Sequence, residues 1–508
     1  MQSRPLACLL LLLLLPATAA GVGGTAGAPG VGAAGAPAVA DDGRVRLSVS
    51  AALADGAGAV ALTVRYRVPD RVTDLTLSLP VAAANASRVT ELRRFRRTNA
   101  TTFEWTGAGD PRIELALDAG ARRVRAGDGW ALVVEPDTAT SYGYRGDDPG
   151  FASSFAAAEG YASGSFALLG PYRTTEVVAG GERTTFVVAD AAGPVAVSGA
   201  ASFLRLAPGR FDLGVRRNAT TAFVIPDRSE PGTGPRIVGS TVRSSLWVGP
   251  AAVRPNATDV TFVHEYVHTR LGPVGEGSAR WLTEATAEYF GHAFGLNAGI
   301  GDYGAFRRGL DPERFGTDPG SVVLARPDTW AGPSTPYAKG AFVLAALDAE
   351  IRRRTDGRYA LADVFAERPG PYGSTAAFRR AVVATTGAES LSAWIDRYAT
   401  TGATPSMPEE PSLFVYGPDL DPDGDGATSG TERERGTNPF APPPATATPT
   451  EPGGGPTAGA GTGTAVPTPA PGTGDTTAGR AGGFGAVAAA AALCVVALWG
   501  HRLAARRR

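Results

Sequence analysis

The hydrophobic period of this chain changes near residue 256, and that change bounds what it can fold into. From Val45 to about Ala200, apolar and polar residues alternate. Val45, Leu47 and Val49 form one such run, Val60, Leu62, Val64 and Tyr66 a second, and Leu75, Leu77 and Leu79 a third. A period of two marks half-buried strands, and turn residues between the runs predict an antiparallel β domain. Strands continue more sparsely from Phe203 to Val248, with Phe223-Val224-Ile225 and Ser244 to Val248 the clearest. After Asn256 the period becomes helical and predicts helices over 258–271, 278–294, 336–354, 359–367, 374–386 and 388–399. Sheet followed by helices is an α+β order. The 508 residues suffice for two or three domains, and the net charge of −1 gives no electrostatic case for nucleic acid.

The two ends read differently from the middle. Arg4, the apolar run Leu9 to Leu15 and the small residues Ala17-Thr18-Ala19 form a secretory signal peptide, residues 1–20. A Gly/Ala/Pro linker covers 21–40. Residues 441–480 are rich in Pro, Thr, Gly and Ala and predict a disordered stalk. The apolar stretch 481–500 is long enough to span a bilayer, and the basic tail 501–508 follows it. Positive charge after the span keeps the tail inside and leaves about 20–480 outside. The chain is therefore expected to be exported and membrane-anchored at the cell surface. Both cysteines, Cys8 and Cys494, fall in these end segments, so a thiol is excluded as ligand or nucleophile in the ectodomain. Sequons at Asn85, Asn99, Asn218 and Asn256 are candidate glycosylation sites.

Chemistry concentrates after residue 260. His264-Glu265-Tyr266-Val267-His268 is an H-E-x-x-H pattern. On a helix its two histidines lie on one face and can hold one tetrahedral zinc. Glu265 can then reach the metal's water as a general base. The next helix carries Glu284 and Glu288, i and i+4 on an otherwise apolar face. Such a pair suits one metal ligand and one carboxylate that orients a ligating histidine.

Trp281-Leu282-Thr283-Glu284-Ala285 resembles the W-L-x-E-G element of the gluzincin metallopeptidases, the clan of aminopeptidase N and the glycyl aminopeptidases. The resemblance implies a thermolysin-like, mostly helical domain over 201–405, after a β domain at 41–200. It implies Glu284 as third zinc ligand and Glu288 as partner of a zinc-bound histidine. Two departures stand out: only fifteen residues separate His268 from Glu284, and Ala285 replaces glycine. Tyr337-Ala338-Lys339-Gly340 resembles the clan's Y-x-K-G helix start and implies Tyr337 as oxyanion donor, a role that suits a phenol near zinc. Lys339 is the only lysine in the chain. The glycyl-aminopeptidase family is the most similar in order and spacing beyond Tyr337, through Leu347-Asp348, Ile351 to Gly357 and Leu361 to Val364. The substrate-amine motif G-x-M-E-N has no counterpart, since the strand at 240–248 holds no acidic residue. Gly482-Gly483-Phe484 resembles the Pro-Gly-Phe signal of archaeal surface-protein C-termini, with glycine in the proline position.

Asp421 to Glu432 fits the twelve-position calcium loop of EF-hands. Asp421, Asp423, Asp425, the Ala427 carbonyl, Ser429 and Glu432 would be its ligands. Gly436-Thr437-Asn438-Pro439 resembles the ending of thrombospondin type 3 calcium repeats. A calcium module over 415–440, stiffening the base of the stalk, is expected. The leading expectation for the whole is a cell-surface zinc peptidase acting on peptides or proteins, with Zn2+ and Ca2+ bound. The alternatives are a calcium-stiffened structural protein with a vestigial peptidase domain and a zinc hydrolase of non-peptide substrates.

Overall fold

A computed structural model describes residues 43–441, apart from 56–57, 84–86, 119–122, 228–238, 243, 256–258, 316–317, 331, 333 and 367–369. The expected signal peptide, linker, stalk, membrane span and basic tail lie outside the described residues, as do Asn85 and Asn256. Among the described residues no helix is long and apolar enough to cross a membrane. Asn99 and Asn218 are both exposed.

Among the described residues, thirteen strands, β1 to β13, run between Val45 and Leu169 in three sheets. The alternating residues do what their period requires. Val45, Leu47, Val49, Val60, Leu62, Val64, Tyr66, Leu75, Leu77 and Leu79 are all buried in one core. The pairing is not purely antiparallel as expected, since β1 (Val45–Leu53) pairs in parallel with β11 (Phe151–Ala157). Alternation reports which face of a strand is buried and carries no information on direction.

A fourth sheet begins at once. In spatial order it is β14 (Tyr172–Ala179), β15 (Glu182–Ala189), β16 (Ala219–Val224), β18 (Ser245–Val248) and β17 (Gly239–Val242). Residues 172–189, read above with the β domain, hydrogen-bond into this sheet instead. The strands β15, β16 and β18 are parallel to one another, and their apolar runs are nearly continuous because both faces are covered. Phe186, Val188, Ala222, Val224, Leu246 and Val248 face the helical core. Val187, Phe223 and Trp247 face Trp130, Leu132, Phe166 and Leu168 of the β domain. The crossover between β15 and β16 is α1 (Ser198–Arg210), which carries Phe203 inward in a helix where the sparse pattern predicts strand.

Helices follow: α2 (Thr261–Leu271), α3 (Leu282–Asn297), α4 (Tyr303–Leu310), α5 (Ala341–Arg354), α6 (Leu361–Ala366), α7 (Thr375–Thr386) and α8 (Ser390–Ala399). Six of these match the predicted set; α4 has no counterpart in it. Asp348 on α5 is fully buried and ties the bundle together. Its Oδ2 accepts from the hydroxyls of Tyr289 at 2.5 Å and Tyr416 at 2.8 Å and from Arg352 Nε at 3.3 Å, and its Oδ1 accepts from the Leu361 amide at 2.6 Å. One carboxylate thus joins α3, α5, the start of α6 and the segment after α8. Asp348→Ala would leave the Arg352 guanidinium buried without its counter-charge, a loss of about 3–5 kcal/mol. Urea denaturation of the variant is expected to show a midpoint lowered accordingly; an unchanged midpoint would mean the network carries no stability.

Candidate metal centre

The site is built where α2 and α3 cross. Asp259 Oδ1 accepts the Thr261 amide at 2.8 Å where α2 begins. Phe262, Val263, Tyr266 and Val267 are buried and hold α2 between the sheet and α3. Gly272, at φ +59°, ends it with its amide on the His268 carbonyl at 2.8 Å. The short return loop is pinned by Thr283, whose Oγ1 accepts the amides of Val274 at 3.1 Å and Gly275 at 3.3 Å. The helices then pass so closely that a Cβ on Gly291 would lie 3.2 Å from His264 Cα.

This crossing brings the predicted ligands together. His268 Nε2 lies 3.2 Å from both His264 Nε2 and Glu284 Oε2, and the remaining edge, His264 Nε2 to Glu284 Oε2, is 3.6 Å. Zinc bonds of about 2.0–2.1 Å at tetrahedral angles require donor separations of about 3.3 Å, so the three edges fit that ion. Glu288 Oε2 sits 3.1 Å from His264 Nδ1. With the proton on Nδ1, the ring turns its Nε2 lone pair toward Glu284 and His268.

Electrostatics argue for a cation independently. Glu265, Glu284 and Glu288 are 2%, 7% and 5% exposed, three carboxylates in one buried pocket. Burial opposes charge on His264, yet its hydrogen bonds to Glu284 and Glu288 outweigh that and push it up to about 10. Burial likewise opposes ionised Glu284 and Glu288. The imidazoles beside them, His268 and His264 for Glu284, His264 and His292 for Glu288, outweigh it and hold both well below the usual carboxylate range. Buried carboxylates kept ionised by the imidazoles beside them are groups whose charge a divalent ion could balance.

Glu265 is not among the three converging donors. Burial raises its carboxyl, with the histidines pulling the other way. Its Oε2 accepts from Thr241 Oγ1 at 2.6 Å, and Gly239 passes close enough that a Cβ there would meet Glu265 Oε1 at 2.7 Å. Both residues belong to β17, at the edge of the sheet. Tyr337 lies in a π-helical turn, Pro336–Gly340, that leads into α5. Its ring is parallel to His264 within 9° at 5.8 Å, and its buried hydroxyl has no hydrogen-bond partner among the described residues. Burial first, then the Glu284 charge, raise this phenol well above its ordinary value, so it stays a donor. Lys339 holds the turn: its Nζ donates to the carbonyls of Val322 at 2.6 Å, Pro319 at 2.9 Å and Gly402 at 3.0 Å. Gly340 leaves the room that Ala285 fills, since a Cβ at 340 would stand 2.8 Å from Ala285 Cβ.

Two members escaped the sequence reading. His292 Nε2 lies 3.4 Å from Glu288 Oε1 and extends the chain from His264 outward. Its i,i+4 spacing from Glu288, in a chain with four histidines, was a usable signal. Thr241 had none, because only the sheet brings β17 to α2. In the second acidic group, Asp421, Asp423 and Asp425 hold carboxylate oxygens within 4.8 Å of one another, whereas Ser429 and Glu432 lie at the start of α9 (Ser429–Arg435).

No family model matches this chain, and no curated protein matches it. Solved structures resemble it. An aminopeptidase N family protein from Idiomarina loihiensis aligns with a TM-score of 0.46 at 13% identity, over 71% of this chain and 77% of that one. A mutant M1 zinc metallopeptidase from Deinococcus radiodurans, bound to a Tyr-Ser-Ala substrate, aligns at 0.43 and 16% identity, over 72% and 95%. Legionella pneumophila aminopeptidase A in complex with aspartic acid aligns at 0.42 and 11% identity, over 71% and 49%.

Glu288→Gln keeps the shape of the pocket but removes the charge that orients His264. Zinc affinity, measured by competition with a chromogenic chelator, is expected to fall ~10-fold or more. Affinity equal to the parent's would show that Glu288 does not act through His264.

Proposed function

We propose that this chain is a zinc-dependent peptidase with His264, His268 and Glu284 as the metal ligands. The observation that carries the reading is the combination at one crossing of three donors with tetrahedral edges, the buried Glu265 carboxyl left free of them, and an unpartnered buried phenol. A structural metal site needs neither of the last two. Zinc in such a site supplies Lewis acidity toward a carbonyl and acidity to a water. The chain's own residues divide the rest. Glu265 takes the proton of the attacking water and returns it to the departing amine. Burial, which raises its carboxyl, suits a group that must hold that proton between the two events. Thr241 fixes the Glu265 carboxylate from one side. Tyr337 donates a hydrogen bond from its hydroxyl to the oxygen that becomes negative at the carbonyl carbon. Glu288 keeps His264 in register, and the Lys339 cage keeps Tyr337 in place.

Zinc content and turnover on a peptide library, measured on three variants, test these assignments. His264→Ala is expected to lose both. Glu265→Gln and Tyr337→Phe are expected to keep zinc and lose ~10²-fold or more in kcat, the usual scale for a lost general base or oxyanion donor. Parent-like cleavage by Glu265→Gln overturns the mechanism, and no cleavage by the parent overturns the peptidase reading.

The reading extends to location and to a second ion. The N-terminal Leu9 to Leu15 run and the apolar stretch 481–500 with its basic tail support an exported protein held at the cell surface. Removal of 481–508 is expected to release the protein from membranes into the medium; retention would contradict the anchor. Calcium is proposed at Asp421 to Glu432, where three aspartates share one loop.

A further inference from the structure

The acidic loop is docked on the helical domain, and that changes what an ion there would do. The chain leaves α8 and returns along the end of α3. Asn297, the last residue of α3, donates from Nδ2 to the Phe414 carbonyl at 2.8 Å and accepts the Tyr416 amide on Oδ1 at 2.8 Å. The Tyr416 hydroxyl reaches Asp348, and Phe414, Val415 and Phe440 are buried in the helical core. Within the loop, the Pro422 carbonyl lies where a Cβ on Gly299 would approach it to 3.1 Å. Gly299 stands two residues beyond α3, and its φ of +73° is one that glycine adopts without strain.

The loop itself is preformed and incompletely satisfied. Asp421 accepts the amides of Gly424 at 2.8 Å and Gly426 at 2.9 Å, and Asp425 accepts that of Ala427 at 2.7 Å. These bonds shape the loop but leave acceptors over. Glu432 is 3% exposed and Ser429 fully buried, yet among the described residues Glu432 Oε2 and Ser429 Oγ have no hydrogen-bond partner, and neither does Asp423 Oδ2. An all-oxygen set of this kind, with four carboxylates, suits a hard divalent ion of high coordination number. α9 is tied back to the loop by the Ser429 amide on the Leu420 carbonyl at 2.8 Å and the Gly430 amide on the Pro418 carbonyl at 2.7 Å.

We propose that one calcium ion held by Asp421, Asp423, Asp425 and Glu432 clamps the segment 414–440 over the C-terminal end of α3, and thereby stabilises the helix that carries Glu284 and Glu288. The ion acts on the helical domain and not on the stalk base, where the sequence alone puts it. The clamp rests on the calcium reading above and is independent of the zinc reading.

The test uses the full-length protein freed of calcium. Titration calorimetry is expected to give one calcium per chain for the parent and none for Glu432→Gln, a near-isosteric change. Amide hydrogen exchange then reads the clamp. Calcium is expected to slow exchange ~10-fold or more both in 414–440 and in 289–300 of the parent, and in neither segment of the variant. No heat of binding overturns the site. Binding with protection confined to 421–432 overturns the clamp while leaving the site. Equal protection by magnesium at the same concentration overturns the choice of ion. Glu432→Gln that exchanges throughout like an unfolded chain is replaced by Asp423→Asn, for which the same two losses are required.

Discussion

The close passage of α2 over α3 is the constraint on which the rest depends. Gly291 permits it, because any Cβ there would meet the His264 backbone. At that distance Glu284 and Glu288 reach the imidazoles of His264 and His268, and three carboxylates become buried in one pocket. Such a concentration of negative charge in a poorly solvated volume is unfavourable by itself. Shared protons offset it in part, and a divalent cation would offset it more fully.

Around that crossing the fold supplies rigidity from three sides. The edge strand β17 presses Thr241 and Gly239 against Glu265. The π-helical turn before α5 lays Tyr337 parallel to His264, and a single buried lysine, surrounded by carbonyls from residues 319, 322 and 402, keeps that turn from relaxing. Burial lowers the Lys339 ammonium to about 8, a measure of how much solvation it has given up for those carbonyls. Behind the site, Asp348 gathers α3, α5 and Tyr416 onto one carboxylate. Thr241 touches Glu265 directly, whereas Lys339 acts on Tyr337 through the turn that carries it.

The acidic loop belongs to the same system. Its segment leans on Asn297 and Gly299 at the end of α3, and its Tyr416 shares Asp348 with Tyr289 of that helix. The two acidic clusters therefore bear on opposite ends of one helix, Glu284 in the first turn and the loop past the last.

Local chemistry was legible in the sequence by itself. The i,i+4 spacing of His264 and His268, the Glu284–Glu288 pair and the period-two burial from Val45 to Leu79 are properties of one helix or one strand, and short-range geometry dictates them. Six of the seven helices from α2 to α8 followed from the same periodicity. What the sequence could not hold was anything decided between elements. The parallel pairing of β1 with β11, the transfer of β14 and β15 to the fourth sheet, and the helix at Phe203 depend on which surfaces meet, and alternation is blind to that. Thr241 reaches Glu265 across 24 residues of chain, and Asn297 meets Phe414 across 117. The acidic loop reads as a separate module on the page because its composition is local. Only the tertiary structure sets it on α3, since burial of Phe414, Val415 and Phe440 in the helical core is a property of the whole domain.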